Sequence, residues 1–318
     1  MARRAFLRTA AVAAGITAGG TVVSARVTAP DRPAPLWPRL VLDVGGIRVT
    51  ALRTGSVAVK AAHRAYGGPD ALRLPAIALD PRWTPWLPVT CWLVEHPDGP
   101  VLVDTGETAR TAEPGYFACD PGTAFVYERL LRFDVPAALE VGPQLRALGV
   151  PPEEIRTLAL THLHSDHAGG LAHVPNATAY VGRPDAERPS QGALPCRWPA
   201  GFRPTPVDYR DGPLGAFDRS HALTADGAVR LVPTPGHTRG HQSVVVEAGG
   251  RSVFLAGDAS FSLGQVQRRV VAGICEDRDA ARRTLDVLAE HLAGTSARYL
   301  AAHEPPPYSP AGRTADAE

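Results

Sequence analysis

Three histidines and one aspartate lie within a six-residue segment, directly after an apolar run that predicts a buried strand. The run covers residues 155–160, and the cluster is His162, His164, Asp166 and His167. Residues two apart at a strand end point the same way, so His162 and His164 can hold one ion. Asp166 and His167 follow where the chain turns, and they face a second position. Because imidazole and carboxylate are the ligands that zinc and similar metals prefer, the segment predicts a metal centre at a strand end.

The pattern HxHxDH at 162–167 resembles the signature of the metallo-β-lactamase superfamily. Three later segments resemble the rest of that family's ligand set in the same order: TPGHTRGH at 234–241, LAGD at 255–258 and AAH at 301–303. The likeness covers roughly residues 40 to 305. It implies an α/β (α+β) fold, the four-layer αβ/βα sandwich with two sheets.

The resemblance implies a dinuclear site with seven ligands. They are His162, His164 and His237 for one ion, Asp166, His167 and His303 for the other, and Asp258 as the bridge. Two divalent metal ions are expected, with zinc favoured and iron, manganese or cobalt as alternatives. Ligating histidines usually need a partner on the other ring nitrogen. Asp104, in the segment VDTG, resembles a recurrent aspartate of the family that supplies one, and His241 is expected beside the ligands rather than among them.

Two ions joined by a carboxylate can share one hydroxide, which predicts attack of that hydroxide on a carbonyl or phosphoryl centre. Asp166 and Asp258 are the expected catalytic carboxylates, with Asp166 orienting the nucleophile. The segments TCWLVEHPDGPVLVDTG, THLHSDHAGG, TPGHTRGHQS and GDAS resemble the N-acyl-homoserine lactonase-like branch. That resemblance implies a small-molecule lactone or ester as the substrate. The sequence has no GxSxG segment, so it gives no support to a serine hydrolase.

One position departs from the branch pattern. The lactonase-like branch often carries a tyrosine three residues after the bridging aspartate, and this chain has Phe261 there. Phenylalanine offers no hydrogen-bond donor, so the donor must come from elsewhere, with Tyr127 and Tyr308 as candidates. Otherwise the substrate differs, and an aryl ester, a bulkier lactone or an organophosphate triester is the alternative.

Other activities of the superfamily are less well supported by the residues. Lactamases with this kind of histidine set usually lack the bridge that Asp258 supplies, and an exported protein would not meet a cytoplasmic glutathione thioester. Diiron members tend to replace the histidine at position 164 by a carboxylate. Mononuclear iron dioxygenases keep more of the motif and remain an alternative.

The residues that form the substrate pocket are harder to find. The segment 183–206 is rich in Pro, Gly and Arg and predicts a long loop. We expect Trp198, in that loop, to form an apolar wall with Phe261 and Tyr127, and ordinary core packing is the alternative for Trp198. Five further histidines are assigned to surface or structural roles: His63, His96, His173, His221 and His291.

Both ends of the chain differ from its middle. Residues 1–25 contain Arg3 and Arg4, a weakly hydrophobic stretch and a small-residue cleavage pattern, and they resemble a twin-arginine export signal. A Pro-rich linker at 26–38, one domain at 39–305 and a polar tail at 306–318 follow. The expected location is periplasmic or extracellular, with membrane contact only during export.

Charge and cysteine content narrow the partners further. The net charge is +1, and no basic run with interleaved aromatics indicates a nucleic-acid groove. Cys91 lies in an apolar run and is expected in the core. Cys119 and Cys196 lie in loop-like segments and are candidates for a bridge in an exported protein, although the spacing leaves the pairing open.

Periodicity and turn residues predict the main elements. Gly45-Gly46 and Pro97-Asp98-Gly99 indicate hairpins. Strands are expected at 155–160, 179–182, 229–232, 243–247, 252–256 and 299–302, and helices at 123–133, 136–148 and 279–292.

Overall fold

Two β-sheets carry the functional residues in the computed structural model, which describes residues 36–305. The first sheet contains β1 (Val41–Val44), β2 (Ile47–Val59), β3 (Leu87–His96), β4 (Gly99–Val103), β5 (Leu131–Asp134), β6 (Thr157–Ala159), β7 (Thr178–Gly182) and β8 (Thr205–Val207). Its order is β1-β2-β3-β4-β6-β7-β8, with β5 paired to β2. The second sheet contains β9 (His221–Ala222), β10 (Val229–Pro233), β11 (Gln242–Ala248), β12 (Arg251–Leu255) and β13 (Arg298–Leu300), in the order β13-β12-β11-β10-β9.

Helices cover the outer faces of the sheets and the edge that holds the site. They are α1 (Ala61–Arg64), α2 (Arg73–Leu79), α3 (Pro121–Leu130), α4 (Val141–Ala147), α5 (Ser165–Ala168), α6 (Arg183–Glu187), α7 (Leu263–Arg268) and α8 (Arg278–Gly294). Asp120 caps α3 and Asp277 caps α8, since each carboxylate accepts a backbone N–H of the first turn. No helix within the described residues is long and apolar enough to cross a membrane.

The four layers follow from strands that are buried on both faces. In β11, Val244 and Val246 pack between the two sheets, whereas Val245 packs with Leu285 and Leu288 of α8. On the first sheet, residues of β3 divide in the same way between the central core and a cluster that includes α4. This alternation with a period of two places one sheet on each side of a shared core and helices outside both. The expected four-layer sandwich is confirmed.

The predicted boundaries of two helices are wrong at one end. The helix expected at 123–133 ends at Leu130, because β5 instead pairs antiparallel with the end of β2, where Val57 lies opposite Phe133. The helix expected at 136–148 begins only at Val141. In both cases pairing or packing with distant residues overrides a local helical pattern.

The segment 183–206 is not wholly irregular, as the sequence had indicated. It begins with α6, contains a 3₁₀ turn at Pro195–Arg197, and ends in β8. A disulfide joins Cys119 to Cys196, and it ties this segment to the turn that precedes α3. Cys91 is buried in the core as expected, and it is reduced, as is Cys275.

Several predicted segments lie outside the described residues. They are the export signal at 1–25, the linker as far as residue 35, and the tail at 306–318. These assignments stay predictions.

Candidate metal centre

Five strand ends meet at one edge of the sandwich. The turn after β6 carries the HxHxDH segment, and Asp104 directly follows β4, the parallel neighbour of β6. On the second sheet, His237 follows β10, Asp258 follows β12 and His303 follows β13. Because parallel strands end at the same edge, residues far apart in the chain converge there.

The seven residues predicted as ligands come together at this edge. Three groups have their ligand atoms within 4.8 Å of one another: His162 with His164 and His237; His162 with His167 and Asp258; and Asp166 with His167 and His303. All seven side chains are buried except that of His164, which is partly exposed. The three groups share members, so the seven residues form one continuous cluster, and its division between two ions stays a prediction.

Asp258 stands between two sets of histidines in this cluster. Its Oδ1 lies 3.4 Å from His167 Nε2 and 3.3 Å from His303 Nε2. Its Oδ2 lies 3.4 Å from His237 Nε2, on the side of the other group. One carboxylate therefore presents one oxygen to each group of histidines.

Buried polar atoms at the centre lack partners among the described residues. His162 Nε2, His167 Nε2 and Asp258 Oδ1 are buried without any hydrogen bond. Leaving such groups unpaired costs on the order of 1–3 kcal/mol each. Since these atoms belong to the cluster that could hold ions, divalent metal ions fit the site and would satisfy them.

Asp104 fixes His167 from behind. Its Oδ2 lies 2.8 Å from His167 Nδ1, and its Oδ1 accepts the Thr161 backbone N–H at 2.7 Å. A proton held on Nδ1 reserves Nε2, which faces Asp258, as the atom that can ligate an ion. The backbone of Asp104 has φ 60°, a left-handed conformation that is uncommon for a residue with a side chain. This geometry matches the role expected for Asp104.

Two further histidines have a polar partner on the nitrogen that faces away from the cluster. His303 Nδ1 lies 2.8 Å from the Pro88 carbonyl oxygen, so it donates there and leaves Nε2 as a lone pair. His162 Nδ1 lies 3.1 Å from Thr161 Oγ1, whose own proton goes to Asp104 Oδ2 at 2.9 Å. Each partner selects the tautomer that a metal ligand needs.

Both ring nitrogens of His241 are engaged by the protein. Its Nε2 accepts the Asp258 backbone N–H at 3.0 Å, and its Nδ1 lies 2.8 Å from Thr234 Oγ1. His241 therefore has no lone pair to offer an ion. Instead it holds the backbone of Asp258, which agrees with its expected place beside the ligands.

Burial and neighbouring charges set the protonation of the cluster. Burial lowers the pKa of His162, His164 and His237, so all three are neutral and can ligate. Burial also opposes protonation of His167 and His303, but the facing carboxylates outweigh it and raise the pKa of each. Burial alone would raise the pKa of Asp258. The His303 and His167 rings outweigh this effect and hold the pKa of that carboxyl well below its usual range.

Glu107 is a buried carboxyl that the sequence analysis did not identify. Its Oε2 accepts the Ser165 hydroxyl at 2.6 Å, and Ser165 lies between the predicted ligands His164 and Asp166. Burial raises the pKa of Glu107 to about 8, so the side chain is neutral at pH 7. Glu107 thus supports the ligand turn from outside the cluster.

A cavity of about 250 Å³ opens onto the metal cluster. Its floor includes His164, Asp166, His237, Asp258 and His303. Its walls are mainly apolar, and they include Val57, Val59, Leu74, Val126, Leu131, Phe261 and Ile274. Cavities of this kind, apolar with a few convergent polar groups, are typical of small-molecule sites.

Of the three residues predicted to form the pocket, Phe261 and Tyr127 line it and Trp198 does not. Trp198 stacks edge-on with Phe202 at 5.3 Å between ring centroids, and both pack against the core cluster beneath the first sheet. The wall prediction for Trp198 is therefore wrong. Trp198 directly follows the 3₁₀ turn at Pro195–Arg197, which contains the disulfide-bonded Cys196.

Neither tyrosine candidate offers a free donor within the described part of the chain. The Tyr127 hydroxyl donates to the Gly192 carbonyl at 2.9 Å, which uses its only proton. Tyr308 lies outside the described residues.

His63 lines the cavity, although the sequence predicted only a surface or structural role for it. It lies in α1, is 7% exposed and lines the cavity next to Phe261, with ring centroids 6.2 Å apart. No motif surrounds it, and its position depends on contacts with residues 200 positions later, so the sequence carries no local signal for it.

Comparisons with known proteins agree with this geometry. A family model described as the metallo-beta-lactamase superfamily matches residues 84–294. The N-acyl homoserine lactonase AttM of Rhizobium johnstonii is 29% identical over 232 residues, which cover 70% of this chain and 84% of the relative. A probable metallo-hydrolase of Mycobacterium tuberculosis is 36% identical over 192 residues, 56% of this chain and 58% of the relative.

A solved structure gives the same fold. An N-acyl homoserine lactone hydrolase, described with N-hexanoyl-L-homoserine bound at its catalytic metal centre, superposes with a TM-score of 0.64. The two chains are 21% identical, and the match covers 83% of this chain and 94% of the other. At that identity the likeness establishes the architecture alone.

Proposed function

Because the chain belongs to the metallo-beta-lactamase superfamily, we propose that it is a dinuclear metal-dependent hydrolase that opens a lactone or cleaves a related ester. The observation that carries the proposal is Asp258, which presents one carboxylate oxygen to His167 and His303 and the other to His237. A bridge of this kind suits two ions held side by side.

The chain's own residues have distinct tasks in this reaction. His162, His164 and His237 would hold one ion, Asp166, His167 and His303 the other, and Asp258 both. When bound, the two ions would activate water as a nucleophile and polarise the substrate carbonyl; zinc suits this donor set. Asp166 lines the cavity and can accept a hydrogen bond from the attacking water.

The remaining residues prepare the site before the substrate arrives. Asp104 and the Pro88 carbonyl occupy Nδ1 of His167 and His303, so both rings are already oriented with Nε2 toward the cluster. The apolar walls shield the reacting ester from bulk water and suit a substrate with an apolar arm. Cleavage would break the acyl–oxygen bond and leave a carboxylate and an alcohol.

Lactonase activity is tested by proton release from N-acyl-homoserine lactones. The purified, zinc-loaded protein is expected to release protons rapidly, because ring opening produces a carboxylic acid, and a chelator should abolish the release. The matched control is the variant Asp258→Asn, which keeps the size of the bridge and removes its charge. Equal release with and without chelator would contradict a metal-dependent mechanism.

The absence of a donor at Phe261 favours a second candidate function at the same centre, hydrolysis of phosphotriesters or aryl esters. This buried ring lies 5.8 Å from the His303 ring and brings no donor to the cavity. If the fully metallated protein opens no lactone, phosphotriesters and aryl esters become the substrates to test. Hydrolysis of those alone would keep the dinuclear centre and reject the lactone.

We also propose export by the twin-arginine route. The support is Arg3-Arg4 at the start of the chain together with the Cys119–Cys196 disulfide, since such bridges persist in oxidising compartments. Replacing both arginines by lysine should retain the protein in the cytoplasm, as cell fractionation would measure. Export of that variant at the wild-type level would reject the route.

A further inference from the structure

His63 is set into the cavity wall with one ring nitrogen buried and the other available. Nδ1 is buried and has no hydrogen-bond partner among the described residues. Nε2 is not fully buried, and no hydrogen bond to it is found within residues 36–305. Because the residue lines the cavity, this atom is the one that faces it. The imidazole therefore keeps one polar atom for a ligand.

The position of the proton follows from the cost of burying an unpaired group. A buried N–H without an acceptor is rarer in proteins than an acceptor with an unused lone pair. The proton of the neutral ring therefore sits on Nε2, and Nδ1 keeps the lone pair. Burial lowers the pKa of His63 to about 4, so the ring is neutral at pH 7. His63 thus presents a neutral N–H donor to the cavity.

The short helix that carries His63 is held firmly. The Ala62 backbone N–H donates to Asp80 Oδ2 at 2.8 Å, and the Ile274 N–H donates to the His63 carbonyl at 2.9 Å. Gln265 also donates from Nε2 to the Arg64 carbonyl at 2.8 Å. A donor on such a fixed backbone is preorganised for binding.

Phe261 and His63 are held by the same side chain. The Oε1 of Gln265 accepts the Phe261 backbone N–H at 2.7 Å, while its Nε2 binds the helix of His63. The Phe261 ring lies near both His63 and His303, at 6.2 and 5.8 Å. His63 is thus one aromatic ring away from the ligands, on the wall rather than at the reacting centre.

Most other polar groups of the cavity are engaged by the protein or exposed, although Arg73 Nε is buried without a hydrogen-bond partner among the described residues. Arg73 donates from Nη1 to the carbonyls of Gly273 and Cys275, at 2.8 and 3.1 Å. Glu276 accepts the Arg239 backbone N–H at 3.0 Å. The Tyr127 proton goes to Gly192, and Gln191 is exposed. His63 is therefore a largely buried neutral donor, without a protein acceptor among the described residues, in the wall of the cavity.

We propose that His63 binds substrate by donating a hydrogen bond from Nε2 to a carbonyl oxygen other than the one that is hydrolysed. This inference rests on the proposed function and narrows its substrate class. The residue would select, among esters and lactones, those that carry such a second carbonyl near the scissile bond.

The test compares His63→Leu with His63→Gln on two lactones. Leucine removes the donor, and glutamine restores an N–H at similar reach. One substrate is an N-acyl-homoserine lactone, and the other is a γ-lactone with an alkyl chain of the same length and no amide. For His63→Leu we expect kcat/KM to fall about 10-fold or more on the first substrate only, because one hydrogen bond is lost.

The fall should lie in KM, since the bond is made equally in the ground and transition states, and His63→Gln should recover most of it. The matched control is His291→Leu, another buried histidine whose ring nitrogens have no hydrogen-bond partner among the described residues. Its ring packs between Phe217 and Phe254 and does not line the cavity. Its kinetics should equal those of the wild type. An equal loss on both lactones, or no loss in His63→Leu, would overturn the inference.

Binding separates this inference from the proposed function. If the wild-type protein hydrolyses neither lactone, the proposed function fails, and His63 is then judged by titration calorimetry with the ring-opened N-acyl-homoserine. His63→Leu should bind that probe about 10-fold more weakly than His63→Gln. Equal affinities would reject the role of His63 whatever the reaction.

Discussion

Two clusters of ligand-type side chains differ in how their polar atoms are satisfied. At the metal centre, buried atoms of His162, His167 and Asp258 have no partner among the described residues. In a second cluster, which we call the hairpin cluster and define as His96, Asp98 and Asp226, the ligand atoms also lie within 4.8 Å of one another. The proximity of such atoms is therefore common to both.

In the hairpin cluster, hydrogen bonds within the protein pair the ring nitrogens of His96 and both carboxylate oxygens of Asp226. His96 Nε2 lies 3.1 Å from Asp226 Oδ2, and His96 Nδ1 accepts the Asp98 N–H at 3.1 Å. The other oxygen of Asp226 accepts the Thr224 hydroxyl and the Ala228 N–H, at 2.8 and 2.9 Å. Both aspartates are exposed to water. A centre that needs an ion therefore combines two features, ligand atoms within reach of one another and buried atoms left unpaired.

The strongest test of this comparison is Asp258→Asn. Removing the bridging charge should lower the metal content and reduce hydrolysis by about 10³-fold or more, because the ions supply several kcal/mol of transition-state stabilisation. Metal analysis and initial rates measure both effects. His164→Ala should behave in the same way. Full activity in either variant after loss of the metal would show that hydrolysis does not depend on this centre.

Asp104→Asn tests the support behind the ligands. The amide keeps the size of the side chain but weakens its hold on the tautomer of His167, so metal affinity should fall about 10–100-fold. Competition with a fluorescent zinc chelator measures this fall. If the affinity does not change, Asp104 serves the backbone of Thr161 rather than the centre.

Glu107→Gln tests whether burial raises the pKa of this carboxyl beside the ligand turn. The folded protein raises the pKa of Glu107 from 4.5 to about 8, so its contribution to stability is fully present below pH 4.5 and is lost as the pH rises through 8. In metal-free protein, Glu107→Gln should make denaturant unfolding less dependent on pH across this window. Glu113→Gln is the control, since Glu113 is exposed and pairs with Arg110. Parallel pH profiles for wild type and Glu107→Gln would contradict the raised pKa.

The smallest effect is expected at the hairpin cluster. His96→Gln should leave metal content and activity unchanged and lower the free energy of unfolding by about 1 kcal/mol, the usual contribution of a hydrogen bond. Denaturant titration and metal analysis measure these two quantities. A loss of bound metal in this variant would show that proximity alone predicts a site.

The sequence identified the residues that cluster at this edge because they follow buried strands in short segments. His162, His237, Asp258 and His303 each lie within four residues of a strand end, so the strand itself delivers them to the edge. Membership of the superfamily and a metal-dependent hydrolase class, both expected from these motifs, are confirmed. The assignment of each ligand to one ion stays a prediction.

The cavity walls could not be predicted in the same way. His63 reaches the cavity through contacts with Ile274 and Gln265, about 200 residues later in the chain, and no pattern near His63 records them. Trp198 is a large apolar residue of the kind expected in a wall, but it packs with Phe202 against the core cluster beneath the first sheet. Walls are set by tertiary contacts between loops, and local sequence carries little of that information.

The disulfide has a practical consequence for anyone who handles the protein. Cys119 and Cys196 are 77 residues apart, and their bond closes a loop that contains the whole HxHxDH segment. A chain-entropy model values such a closure at about 4–5 kcal/mol. Thiol reductants added to a preparation would open this ring and remove that restraint on the segment. Production in an oxidising compartment, with thiol-free buffers, keeps the loop closed.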